Sequence, residues 1–155
     1  LHLSIRRQRQ MCIRDRAIYE GLGEPYYKDW HYFNKHGKED VTRSWRKVND
    51  QFDFLLHLDG FSRGLVSIDN IDNLNYYIST FEIQKADLLY FSYNSKQEDY
   101  DHTAIISKVD ENMLYYAANT TDRFDEPITT FFEIYPEGKI MVMLVSGGLP
   151  SEYED

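Results

Sequence analysis

The sequence predicts an α+β domain in which helices come first and antiparallel strands follow. Three observations carry this. Between residues 40 and 81, apolar side chains recur three and four positions apart, the spacing of one helix face. Between Lys85 and Arg123, three short runs rich in β-branched and aromatic residues are separated by polar, turn-forming linkers, as in a β-meander. Finally, 155 residues suffice for one hydrophobic core and leave no room for a second domain.

Taken in order, residues 1–16 stand apart. They hold five arginines against one aspartate, while residues 17–155 hold twelve Lys/Arg against twenty-five Asp/Glu, for a net charge of -9. The run Gln-Arg-Gln-Met-Cys-Ile-Arg-Asp-Arg resembles a translated sequencing-adapter remnant, so residues 1–16 are expected to be non-native and are set outside the fold. A genuine basic arm is the competing reading. The strongly acidic remainder is unsuited to phosphate backbones, so no nucleic-acid partner is expected. No apolar run approaches the length of a membrane span, and membrane insertion is not expected either.

The domain is expected over residues 17–147. Ala17-Ile-Tyr-Glu-Gly-Leu-Gly-Glu-Pro reads as a last helical turn, with Gly21 or Gly23 as its cap and Pro25 preventing continuation. Tyr26–Gly37 has many rings and no period, so it reads as a loop. His31 and His36 in it are five apart, which is not the one-turn spacing of a helical metal pair. The single cysteine, Cys12, makes neither a disulfide framework nor a zinc set. Neither a metal nor a cofactor is therefore expected.

Asp40–Gly60 is expected to be a helix capped by Thr42, with Trp45, Val48, Phe52, Leu55 and Leu56 on the face that packs on the core. Ser67–Phe81 reads as a second helix, with Ile68, Ile71, Leu74, Tyr77 and Ile78 on its apolar side. The meander follows, as strands Leu88–Tyr93, His102–Val109 and Met113–Ala118, with Asp110-Glu111-Asn112 as the last turn. If that turn holds, residues paired across it sum to about 222, which puts Ile105 or Ile106 opposite Ala117. Ile128–Tyr135 and Lys139–Val145 read as two further strands joined at Pro136-Glu-Gly138. Residues 148–155 form an acidic tail, of which Ser151–Asp155 is expected to be disordered.

His102, opening the middle strand, is the leading candidate for chemistry. At the start of a buried strand one face of an imidazole packs while a nitrogen still reaches a cleft, a suitable place for a general base. The plainer alternative is a strand-edge histidine satisfied by Asp101 or a backbone carbonyl. Asn119 ends the third strand and could hold the imidazole through its side-chain carbonyl, or it could be an ordinary turn residue. Asp87 reads as a structural anchor. Glu98, Asp99 and Asp101 could bind a cation, although a solvated hairpin loop is the commoner explanation.

Ser44-Trp45, Ala86-Asp87-Leu88-Leu89, Asp101-His102-Thr103-Ala104-Ile105-Ile106 and Asn119-Thr-Thr-Asp-Arg123 together resemble the putative amidase domain family, over Ala17 to about Gly147. The resemblance implies a papain-like cysteine hydrolase that cleaves amide bonds in cell-wall peptides, with His102 and Asn119 as catalytic residues. Its substrate would be a peptide or peptidoglycan. Two departures stand out. The family's nucleophile lies in an Asp-Cys-Thr-Asn-Phe-Val-Ser-Gln-like stretch ahead of the helix ending at Ala17–Gly21, and Cys12 lacks those flanks, so the chain reads as a fragment without its nucleophile. Any export signal, for a secreted or wall-associated parent, would lie in the same lost stretch. The family also prefers glycine where this chain has Ala86, which is tolerable if the backbone angle is ordinary. Two alternatives remain: a non-catalytic peptide- or glycan-binding module on the same fold, and an acidic immunity-type protein that blocks a basic partner through its charge.

Overall fold

A computed structural model describes residues 31–33, 39–41, 47–118 and 123–146. The chain divides into two units, Leu1–Phe61 with Gly147–Asp155, and Ser62–Ser146.

In the first unit, strands β1 (His31–Phe33) and β2 (Glu39–Val41) pair antiparallel, His31 opposite Val41. The loop expected over 26–37 therefore contains a short strand, because these residues find a ladder partner eight positions downstream. His36 lies outside the described residues. Helix α1 (Val48–His57) buries Val48, Gln51, Phe52 and Leu55, the face that the three-and-four spacing predicts. Its cap position is Lys47, which is extended, so Thr42 is not its N-cap. The helix stops at His57, ahead of a turn in which Gly60 takes a φ of 71°. Trp45 lies outside the described residues, as do the helix end expected at Ala17–Gly21 and the acidic tail.

The second unit is an antiparallel six-stranded sheet with two helices. After β3 (Ser62–Ile68) come a 3-10 turn (Ile71–Asn73) and α2 (Leu74–Phe81). The meander follows as β4 (Leu88–Ser92), β5 (His102–Val109) and β6 (Leu114–Ala118), and then β7 (Arg123–Pro127), α3 (Ile128–Ile134) and β8 (Lys139–Val145). The strand order is β3-β8-β4-β5-β6-β7. As the sequence predicts, β5 lies between β4 and β6. Across the β5–β6 turn, Ile105 faces Ala117 and Ile106 faces Tyr116, the expected register, before a bulge shifts it by one at Lys108. Asp110 shapes the turn by accepting from the Asn112 N–H at 3.0 Å and from the Tyr115 hydroxyl at 3.1 Å. The first of these bonds leads in holding its carboxyl below the ordinary value, and the same carboxylate pushes the Tyr115 hydroxyl up.

Two elements differ from expectation. The helix predicted from Ser67 begins only after a strand, since Ser62–Ile68 pairs along β8, and the described helical residues start at Ile71. The Asn70 side chain accepts from the Asp72 N–H at 2.8 Å, which is the local start signal. Ile68, Ile71 and Leu74, three apart, mimic one helix face although the first belongs to β3. Ile128–Tyr135, expected as a strand, contains α3 instead. Ile128 and Phe131 are buried, and Phe132 and Tyr135 pack against the same core. That is the helical i, i+3, i+4, i+7 spacing, which here outweighs the β propensity of Ile, Thr and Phe.

One sheet face forms the core with the helices. Leu89, Phe91, Ala104, Ile106, Tyr116, Ile140 and Val142 meet Leu74, Ile128 and Phe131 on it. Gly138 must be glycine for steric reasons: a β-carbon there would lie 2.7 Å from the Phe131 ring and 3.0 Å from the Ser92 carbonyl.

Candidate active site

His102 is the first residue of β5 and stands opposite Phe91 of β4, so both side chains share the core face. The imidazole is half-buried, its centroid 5.8 Å from that of Phe91 and its plane tilted by 32°. Phe91 in turn contacts Tyr116 at 5.2 Å and Phe131 at 4.9 Å. One side of the histidine thus rests on a rigid aromatic floor. The ring is thus packed on one side at the margin of the core.

What holds the histidine there is the β4–β5 hairpin. The Asp101 N–H donates to the Phe91 carbonyl at 2.8 Å and closes the ladder one residue ahead of His102. The Asp101 carboxylate accepts from the Tyr93 N–H at 2.8 Å and also from the Gln97 side-chain amide. Within the loop, Ser92 donates to the Asp99 carbonyl at 3.0 Å and the Lys96 N–H donates to the Asn94 side chain at 3.0 Å. From the β8 side, the Ser95 N–H donates to the Glu137 carbonyl at 2.7 Å and the Lys139 ammonium to the Gln97 carbonyl at 3.2 Å. The acidic residues singled out in this loop are therefore part of a hydrogen-bonded turn. Among the described residues, no three His, Cys, Asp or Glu side chains converge as a metal site would need.

The other end of β4 is anchored by Asp87, whose side chain is 1% exposed. One carboxylate oxygen accepts from the Gln84 N–H at 2.9 Å and the other from the Val145 N–H at 2.8 Å, while the Arg63 guanidinium lies 3.8 Å away. Burial raises its pKa above the ordinary carboxylate value, and the two N–H groups and Arg63 only partly offset this. It ties β8 to the entry of β4, the anchoring role the sequence suggests. Arg63 also donates to the carbonyls of Phe81 and Glu82 at 3.1 and 2.6 Å, where the C-terminal end of α2 favours a cation. Just before Asp87, Ala86 has a φ of 78°. The condition that would make alanine tolerable there is not met: a β-carbon sits in the left-handed region that glycine occupies without strain.

Asn119 lies outside the described residues, as do Cys12 and the Ala17–Gly21 turn, and the geometry places His102 alone of the two predicted site residues. An open groove of about 610 Å³ lies at the far end of β5, lined by Asn75, Ile78, Ser79, Val109, Asp110 and Glu111. It is not the site of His102.

The family model described as "Putative amidase domain" matches residues 10–143 of the chain. The chain belongs to this family. No curated protein and no solved structure matches it. Amidase-type hydrolysis is the activity this membership supports. His102, the half-buried histidine that opens β5, lies within the matched residues. The Tyr93 and Asp101 contacts that shape its surroundings were not legible as a unit, because Tyr93 reads only as one more ring of the meander.

Proposed function

We propose that the intact parent of this chain is a cysteine-dependent hydrolase of amide bonds in peptides or peptidoglycan, with His102 as general base and acid and Asn119 as the residue that orients it. The observation carrying this reading is the seat of His102 at the head of the central strand, clamped by the hairpin beneath it, in a chain of the amidase domain family.

The chemistry follows from those groups. His102 takes the proton of the thiol, and the thiolate attacks the amide carbonyl carbon. The tetrahedral intermediate collapses with loss of the amine, which receives its proton from the His102 imidazolium, leaving a thioester. His102 then takes a proton from water, the hydroxide displaces the thiolate, and the carboxylic acid leaves. Asn119, through its side-chain carbonyl, would accept from the ring N–H and keep the other nitrogen toward the thiol. The nucleophile is supplied by the Asp-Cys stretch of the parent ahead of Ala17, and Cys12 is not that residue.

Mass spectrometry of the parent mixed with a peptide amide tests this. A thioester adduct on a cysteine upstream of Ala17, lost on alkylation of that thiol, is the expected result. Hydrolysis that survives complete alkylation would contradict the proposal.

A further inference from the structure

Phe91, the cross-strand partner of His102, is 2% exposed and held from several sides. Tyr116 from β6 and Phe131 from α3 pack on it, with centroids 5.2 and 4.9 Å away and planes inclined at 57° and 55°. The imidazole lies closer to parallel, 32° from the plane of Phe91 at 5.8 Å. Phe131 is fixed in turn. It contacts Phe132 and Tyr135 at 5.2 and 5.4 Å, and the backbone at Gly138 comes so near that a β-carbon there would lie 2.7 Å from its ring. Packed groups therefore run without a break from the turn before β8 through Phe131 and Phe91 to the imidazole, and the Phe91 ring has no room to turn away.

A leucine could fill that volume, but it would lack the quadrupole of a phenyl ring. The difference matters because His102 changes charge in the proposed hydrolysis. It is neutral before it takes the thiol proton and an imidazolium until it gives that proton to the amine. An aromatic ring whose centroid lies within about 6 Å of a cation attracts it, and a half-buried site screens that attraction less than open water does. Other described groups on the surrounding elements also bear on the imidazole charge: Tyr90, Tyr93 and Asp101 around the β4–β5 hairpin, Tyr116 in β6, Glu126 in β7, Glu133 and Tyr135 in and after α3, and Lys139 in β8. The Asp101 carboxylate is turned onto the Tyr93 N–H and the Gln97 amide. None of these groups changes when only the electron distribution of the Phe91 ring is altered.

We propose that Phe91 is a positioning residue of the amide hydrolysis, whose ring fixes the half-buried His102 imidazole and favours its protonated form. The assignment rests on His102 being the catalytic base. Phe91 makes and breaks no bond; it holds the base in one place through both of its charge states.

The test alters the electrons of the ring and keeps its shape. Phenylalanine and its mono-, di- and trifluorinated analogues are placed at position 91 of the full chain, and the His102 ring is titrated by NMR. Each fluorine weakens the quadrupole while the side chain stays close to its natural size. The midpoint of the His102 titration should fall stepwise along the series, by about 0.3–0.7 of a pH unit at the trifluorinated member. Urea midpoints should coincide across the series, a result that packing alone would also give, whereas packing alone would leave the titration unmoved. A midpoint that is constant or rises with fluorination, in proteins of equal stability, would overturn the role of Phe91. A stepwise fall in a chain whose parent keeps full turnover after His102→Ala would instead leave the ring effect standing and overturn the catalytic reading on which its place in the hydrolysis rests.

Discussion

Replacing Asp87 by asparagine should destabilise the second unit by about 2 kcal/mol near pH 4. Two backbone donors, the N–H groups of Gln84 and Val145, converge on the two carboxylate oxygens at 2.9 and 2.8 Å. Asparagine offers one oxygen and one NH2, so in either orientation one N–H faces another donor. Leaving a buried N–H without an acceptor costs about 1–3 kcal/mol, and at neutral pH the substitution also removes a buried charge, which returns part of that cost. The Arg63 contact, at 3.8 Å and with a partly exposed guanidinium, adds little. Because the folded pKa of Asp87 is raised by burial, the native state holds the proton more tightly than the unfolded chain does. The contribution of Asp87 is therefore greatest below the unfolded value of 3.8 and is lost as the pH rises through the folded value. The gap between wild type and variant should narrow from pH 4 toward pH 7. Urea unfolding at several pH values measures it, with a midpoint lowered by about 1 M near pH 4. A variant within 0.5 kcal/mol of wild type near pH 4, or a gap that widens with pH, would refute the anchoring argument.

Further outcomes follow from the same geometry. Ala86→Gly should stabilise by about 1 kcal/mol, since relief of the left-handed strain exceeds the added freedom of the unfolded chain; a lower melting temperature would show that the φ of 78° is not strained. Gly138→Ala should cost about 1–3 kcal/mol, because its methyl group would enter the Phe131 ring, and should shift the Phe131 and Tyr135 resonances; unchanged stability would mean that the ring can withdraw. The chain as written should show no thiol-dependent hydrolysis, with Cys12 alkylated by iodoacetamide at an ordinary free-thiol rate; a hydrolysis that the reagent abolishes would contradict this.

The meander was legible because its signals are local. Asp110 and Asn112 form a turn through their own side chain and backbone, and the β5–β6 register follows from that turn. β3 was not legible. Its partner, β8, lies more than seventy residues away, and nothing in Ser62–Ile68 names that partner, while Ile68, Ile71 and Leu74 repeat with helical spacing. In α3, β-branched and aromatic residues suggested a strand, but the need to bury Ile128 and Phe131 on the sheet decided for a helix. For the site, the Asp-His pair pointed to His102, whereas the aromatic floor of Phe91 and Phe131 arises only when β4 and α3 are brought together. The strain at Ala86 was also hidden, since a residue type does not state its own φ.

The most direct test of the catalytic account is the turnover of a peptide amide by the intact parent protein with His102→Ala and with Asn119→Ala, each checked for fold by circular dichroism. The account predicts that His102→Ala folds but loses turnover by at least about a hundredfold, and that Asn119→Ala loses less. Full activity of a folded His102→Ala protein would contradict it.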